Sequence, residues 1–379
     1  MRRIYLDYNA STPTAPEVVE AMRPFLTDHF GNPSSLHWAG APAKAALEKA
    51  RAQVAVLLGC ASEEVIFTSG GTEASNAAIK GVWFAKNTSG GRIITTAIEH
   101  PATLKPCEFL KKLGADIVIL PVSGTGRVDP DAVRTAITPK TVLVSVMHAQ
   151  NEVGTLQPIT EISRLCREKG VTFHTDAAQS VGKLPTRVDE LNVDLLSVAG
   201  HKVYAPKGVG VLYVRKVVAL EPFVHGAGHE SGRRAGTENV LLNVGLGAAC
   251  ELSGKYLALP ASAAGSPGFI QKLRDRLWQG LREKLGERVR LHGHPEQRLP
   301  NTLNVGFVNR IGSEVLAALP GVAASTGSAC HAGSVTLSAV LQAMHVPVES
   351  GMGAVRFSLG RGTTQEEIDA VVELAGRLK

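Results

Sequence analysis

The feature that most restricts how this chain of 379 residues can fold is a repeated alternation of short apolar runs with helix-like segments. Strand-like runs stand at Glu64–Thr68, Arg92–Ile98, Asp116–Val122, Thr141–His148, Val171–Asp176 and Val193–Val198. Helical periodicity over segments such as Thr72–Ala85, Ala102–Leu113 and Ile159–Lys169 separates them. Parallel strands need a crossover of about a dozen residues between them, so this pattern implies an α/β class, a parallel sheet wrapped by helices. Helical patterns over Pro16–His29 and His37–Leu58 precede it, and one over Glu238–Leu252 follows. A Ser/Ala/Gly/Pro stretch at Ala261–Gly268 then breaks the periodicity and marks a domain boundary. The expected division is an N-terminal segment (1–14) packing with the small domain, a large domain (15–260) and a small C-terminal α/β domain (261–379). The last reads as helix Phe269–Leu285, strands Val289–His292 and Thr302–Val308, helix Ser313–Leu319, a loop around Cys330, a helix, strand Ala354–Leu359 and helix Gln365–Leu378.

Composition narrows the function classes. The net charge of +6 comes from Lys and Arg spread along the chain rather than gathered in a patch, which disfavours a nucleic-acid partner and leaves room for small anionic ligands. No apolar run reaches membrane-spanning length and the start, Met1 to Tyr8, enters a strand pattern without a signal-peptide core, so a soluble cytoplasmic protein is expected. Five cysteines without a Cys-x-x-Cys pair point to neither a disulfide framework nor a zinc site. Four of them lie in apolar, helix-like runs. Cys330 lies in Ser325–Ser334 (Ser-Thr-Gly-Ser-Ala-Cys-His-Ala-Gly-Ser), a small-residue loop where a thiol would be exposed and mobile.

Polar residues then gather where α/β sheets place their ligands, at the carboxyl ends of strands. Lys202 sits between two strand-like runs, Val193–Val198 and Gly208–Val214, flanked by Gly200, Pro206, Gly208 and Gly210. A loop lysine whose ammonium reaches water fits that position; so does a desolvated lysine poised to form a Schiff base with an aldehyde cofactor. Strand Glu64–Thr68 runs into Ser69, Gly70, Gly71 and Thr72 at the start of a helix, an anion cradle or an ordinary capped loop. It lacks the Gly-Lys-Ser/Thr ending and the Gly-x-Gly-x-x-Gly of nucleotide sites. His100, Asn151, Glu152, Asp176 and Gln179 follow successive strands, and an Asp in the apolar turn Asp176–Gln179 suits a pyridinium nitrogen.

Taken together, Thr68–Glu73, Glu99–His100, Gln150–Gly154, His174–Gly182, Gly200–Gly208 (Gly-His-Lys-x-Tyr-x-Pro-Lys-Gly) and Gly327–Cys330 resemble the cysteine desulfurases, pyridoxal-phosphate enzymes of the class V aminotransferase group close to the selenocysteine lyases. The resemblance runs in order from Tyr5 to about Ala370. It implies a homodimer of fold type I, whose large domain carries a mixed, mostly parallel sheet beside a small C-terminal α/β domain. It further implies that Lys202 carries pyridoxal 5'-phosphate, His100 stacks on its ring, Asp176 pairs with the ring nitrogen and Gln179 bonds the ring oxygen. Gly71, Thr72 and His201 would hold the phosphate, with Thr237 reaching over from a second subunit; Asn151 would contact the cofactor and, with Arg356, bind the substrate carboxylate. Ala199 stands where these enzymes usually carry a phosphate-binding Ser, and Pro101 where animal selenocysteine lyases carry an acid.

The activity implied is conversion of L-cysteine to L-alanine, with Lys202, His100 and Cys330 catalytic and the sulfur held as a persulfide on Cys330 for a sulfur-acceptor protein. Iron–sulfur assembly, tRNA thiolation and selenium delivery are the end uses open to it. The alternatives are a selenocysteine lyase acting on L-selenocysteine and a class V aminotransferase, which has no use for a thiol in a small-residue loop.

Overall fold

The computed structural model of the chain describes residues 3–86, 90–326, 328–331 and 334–378. Strand β1 (Ile4–Tyr5) opens it, followed by β2 (Val65–Thr68), β3 (Arg92–Thr96), β4 (Asp116–Leu120), β5 (Thr141–Ser145), β6 (Thr172–Asp176), β7 (Leu195–Ala199) and β8 (Gly210–Val214). Seven of these, β2 to β8, form one sheet in the order β2-β8-β7-β6-β5-β3-β4. All its pairings are parallel except those of β8, which runs antiparallel to both β2 and β7. Strands β5, β7 and β8 are buried at every residue, because helices cover both faces and leave no wet side on which polar residues could alternate.

The chain runs from β3 outward to β4, then returns to place β5 on the other flank of β3. That reversal is the topological switch point, where the turns leaving two strands part and open a crevice beyond their carboxyl ends. On one face, helix Gly40–Leu58 lies along helix Val240–Leu257, so close that a Cβ at Gly247 would stand 2.6 Å from the Cα of Ala50. On the other face, helices Gly71–Ala85 and Pro101–Lys112 cover Ile66, Ile93, Leu143 and Leu212.

Beyond helix Pro267–Leu285 come β9 (Val289–His292), β10 (Thr302–Phe307), β11 (Val322–Ala323), β12 (Ser325–Thr326), β13 (Ser328–His331), β14 (Ser334–Leu337) and β15 (Ala354–Ser358). An antiparallel sheet of order β12-β15-β10-β9 packs with helices Pro267–Leu285 and Gln365–Ala375 around Leu277, Leu281, Val305, Phe357 and Ile368. The N-terminal segment joins this core through Ile4 and Leu6, and β1 pairs in parallel with β11.

Two expectations change. The helical pattern over Pro16–His29 divides into Pro16–Met22 and Pro24–Thr27, since Pro24 has no N–H to donate back. The segment around Cys330, expected as a loop, is a two-stranded ribbon in its backbone: β13 pairs antiparallel with β14, and Cys330 stands opposite Val335. Small residues have weak strand preference of their own, and the cross-strand partner decides here. Among the described residues no helix is long and apolar enough to cross a membrane.

Candidate active site

A cavity of about 640 Å³ opens at the switch point, lined among others by Gly71, Thr72, His100, Asn151, Asp176, Gln179, His201, Lys202 and Arg356. Residues from seven separate stretches of sequence thus meet on one wall system. Thr237 lies elsewhere, exposed in a neighbouring depression beside Ser69, Arg234 and Asn239. Cys330 belongs to β13, and its side chain lies outside the described residues.

Lys202 ends a single 3-10 turn, Gly200–Lys202, that leaves β7. A side chain at position 200 would press on the carbonyl oxygen of Val209 at 2.8 Å, so only glycine lets the turn fold back onto β8. Burial pushes the Lys202 amine below its ordinary pKa; the nearby Asp176 carboxylate opposes that shift and the Arg356 guanidinium adds to it. The result is an amine more readily neutral than a surface lysine.

Asp176 is the last residue of β6, is 8% exposed and lines the cavity, its Oδ1 accepting the Ala178 N–H at 2.9 Å. His100 caps helix Pro101–Lys112 with its ring: Nδ1 accepts the Ala102 N–H at 3.1 Å. A ring whose Nδ1 accepts must carry its proton on Nε2, and burial lowers its pKa, so His100 is a neutral Nε2–H donor at the cavity wall. His201 is pushed down to about 4 by burial and by Lys202. Its carbonyl oxygen accepts from Thr12 N and Oγ1, which ties the turn to the N-terminal segment.

The first turn of helix Gly71–Ala85 lines the cavity, and among the described residues no side chain caps that helix start. Uncapped amides at a helix N-terminus suit a phosphate. A Cβ at Gly71 would come within 3.1 Å of the Ala199 Cβ, so the cradle is shaped by two small residues and the Ala199 side offers it no hydroxyl. An aldehyde ring with a phosphate arm fits these residues: an amine for the aldehyde, a carboxylate for a ring nitrogen, an imidazole beside it and free amides for the phosphate.

Arg356 comes from β15 of the small sheet and is 8% exposed. Its Nη2 donates to Asp7 Oδ1 at 2.7 Å and Ser325 Oγ at 3.0 Å, and Nη1 donates to Asn151 O at 3.0 Å. Among the described residues its buried Nε has no hydrogen-bond partner, a donor held ready for an incoming acceptor. Three site residues escaped sequence reasoning. Asp7 holds Arg356. Asn9 is 1% exposed and lines the cavity, and Lys183 stands behind Gln179. The signal for Asn9 was a polar residue at the end of the first strand; Lys183 carried none, since one lysine in a turn reads as solvated.

Comparison with known proteins agrees with this chemistry. The family described as aminotransferase class-V matches residues 4–371. A cysteine desulfurase IscS of Dictyoglomus turgidum is 46% identical over 379 residues, covering 100% of this chain and 94% of that one. A cysteine desulfurase IscS of Methanosarcina thermophila is 47% identical over 375 residues, covering 98% and 91%. Among solved structures, a NifS-like protein superposes with a TM-score of 0.91 at 36% identity, covering 99% of both chains. One described as SspA in complex with cysteine superposes with a TM-score of 0.81 at 38% identity, covering 95% of this chain and 100% of that one.

Proposed function

We infer that this chain, which belongs to the class-V aminotransferase family, is a pyridoxal-phosphate-dependent cysteine desulfurase that converts L-cysteine to L-alanine and passes the sulfur to Cys330. The observation that carries the reading is the convergence of Lys202, Asp176, His100 and Arg356 on one cavity at the switch point. Lys202, Asp176, Gln179, His100, His201 and the Gly71–Thr72 turn would hold pyridoxal phosphate, which would supply an electron sink for the substrate's α-carbon.

The chain's own residues do the rest. Arg356 and Asn151 receive the substrate carboxylate, which orients the α-hydrogen toward the Lys202 amine. That amine, more readily neutral than a surface lysine because burial lowers its pKa, takes the α-proton. Cys330, as thiolate, attacks the substrate sulfur: an S–S bond forms, the carbon–sulfur bond breaks, and its electron pair stays with the β-carbon. Protonation of that carbon yields alanine, so cysteine plus enzyme thiol become alanine plus enzyme persulfide with nothing left over. His100, with its Nε2–H in the cavity, handles the proton at the substrate sulfur. A sulfur-acceptor protein then takes the outer sulfur.

A homodimer completes the site in this reading. Thr237 is exposed outside its own chain's cavity, and Leu26, Phe30, Leu36 and Trp38 are exposed on the segment that leads into helix Gly40–Leu58. Apolar side chains at that density are what a second copy covers, bringing its Thr237 to the phosphate end.

The test is Cys330→Ala beside Lys202→Ala. Cys330→Ala is expected to keep the visible band of bound cofactor and to release no alanine from cysteine, whereas Lys202→Ala loses the borohydride-fixed cofactor. Alanine released from cysteine at the wild-type rate by Cys330→Ala would sink the persulfide route. Selenium leaves carbon more readily than sulfur, so residual turnover of L-selenocysteine by that variant is consistent with the proposal.

A further inference from the structure

The turn after β6 places a second lysine behind the cavity, and the chemistry assigned so far does not use it. Lys183 Nζ donates to Gln179 Oε1 at 3.0 Å and to Asn9 Oδ1 at 3.1 Å. The charges that act on it, Lys202, Arg356 and Arg361, are all cations, and burial with those neighbours holds its pKa well below the lysine range. A lysine placed among cations without a carboxylate is costly unless its N–H groups are needed where they are.

What they do is settle the direction of an amide. The two ends of a Gln side chain are interchangeable in shape, and only neighbours decide which end faces where. Gln179 Nε2 donates to the backbone oxygen of Asn9 at 3.0 Å, an atom that can only accept. Its Oε1 faces the Lys183 amine, which donates to both oxygens it meets whether it holds two protons or three. The remaining proton on Gln179 Nε2 therefore has no claim on it from either neighbour, and Gln179 lines the cavity. Asn9 is oriented in the same manner: its Nδ2 donates to Asn151 O at 3.2 Å and Thr302 Oγ1 at 2.8 Å, so its Oδ1 must turn to Lys183 and to Asn301 Nδ2 at 3.0 Å. Toward the cavity, Gln179 is thus a donor and not an acceptor.

We propose that Lys183 is a positioning residue: by occupying Gln179 Oε1 it keeps the Gln179 amide turned so that an N–H, never an oxygen, faces the ring oxygen of bound pyridoxal phosphate. The proposal rests on the placing of Gln179 against that oxygen. Without Lys183, Gln179 Oε1 is a buried acceptor without a partner, and rotation of the amide to satisfy it would present an oxygen to an anionic oxygen. A hydrogen bond donated to the ring oxygen stabilises its negative charge, most of all when the neighbouring nitrogen has lost its proton. Such a donor lowers the pH at which the visible band of the loaded enzyme titrates, and loss of the donor raises it.

The experiment titrates that band with pH in wild type, Lys183→Met, Gln179→Leu and the double variant, with thermal melts of each as a check on folding. Lys183→Met and Gln179→Leu are each expected to raise the midpoint by about one pH unit, the scale of one hydrogen bond to a charged acceptor, and the double variant to move it no further than either alone. Lys183→Gln keeps an N–H donor without the charge and is expected to titrate close to wild type. A shift with Gln179→Leu but none with Lys183→Met overturns the proposal alone. Additive shifts overturn it too, because they mean that Lys183 acts by its charge and not through Gln179. No shift with either single variant overturns it together with the contact between Gln179 and the ring oxygen. Should Lys183→Met fail to fold, a Lys183→Gln midpoint displaced as far as that of Gln179→Leu overturns it.

Discussion

At the scale of the residue, Arg356 shows how one side chain serves position and chemistry together. Its guanidinium is held on one edge by Asp7 and Ser325 and on another by the Asn151 carbonyl, which among the described residues leaves Nε and one Nη1 proton uncommitted. In the proposed reading those donors present a fixed fork to the substrate carboxylate, which a lysine cannot imitate. Arg356→Ala is expected to lower kcat/KM by roughly 2–4 kcal/mol while the visible band of the cofactor persists, as steady-state kinetics and absorption spectra would show. Its melting temperature should also fall, because Asp7 is left in a poorly hydrated place without its cation. Arg356→Lys restores part of that stability and little of the kcat/KM; full recovery of kcat/KM by lysine would mean that charge alone binds the substrate.

At the scale of the element, the segment 226–239 is shaped by one buried ion pair. Arg51, on helix Gly40–Leu58, meets Glu230 through two hydrogen bonds, Nη1 to Oε2 at 2.7 Å and Nη2 to Oε1 at 2.9 Å. The same carboxylate accepts the Phe67 N–H at 3.0 Å, so helix, strand β2 and the segment carrying Thr237 are pinned at one point. Glu230 adopts φ 49° there and Ser231 φ 57°, left-handed conformations that the surrounding bonds must hold. Glu230→Ala leaves Arg51 buried without its counter-charge and is expected to cost about 3–5 kcal/mol in urea unfolding. Hydrogen exchange should quicken first in 226–239. A variant as stable as wild type would show that the pair is dispensable and that packing alone holds the segment.

At the scale of the whole molecule, Thr237 lies outside the cavity of its own chain, and in the proposed dimer it serves the cavity of the other copy. Sedimentation equilibrium is expected to give a species of two chains. Trp38→Glu, which puts a carboxylate on a side chain that is 83% exposed in the single chain, should shift that equilibrium toward monomer and weaken cofactor retention in parallel. A monomeric wild type with undiminished cofactor affinity would leave Thr237 without a role in the site.

Much of this was legible in the residues themselves. The alternation of strand-like and helix-like runs, the glycine-rich Ser69–Thr72 start of a helix and the polar residues at strand ends depend on near neighbours in the chain, where periodicity of 2.0 or 3.6 is set. Helix Pro130–Ala136 has its local signal too, since Asp129 followed by Pro130 is a helix start: the Asp129 side chain accepts the Asp131 N–H. Other features had no local signal. That β8 turns antiparallel between β2 and β7, and that β3 ends with β4 and β5 on opposite flanks, follows from which strands pair and not from any one of them. The ribbon of β13 and β14 likewise owes its form to pairing, since its small residues alone read as a loop. Asp7 reaches Arg356 across 349 residues of sequence, and Asn9 reaches Gln179 across 170. Local periodicity records what a residue does to the turn it lies in; the direction of an amide or the partner of a guanidinium is decided by groups that only the closed fold brings within 3 Å or so.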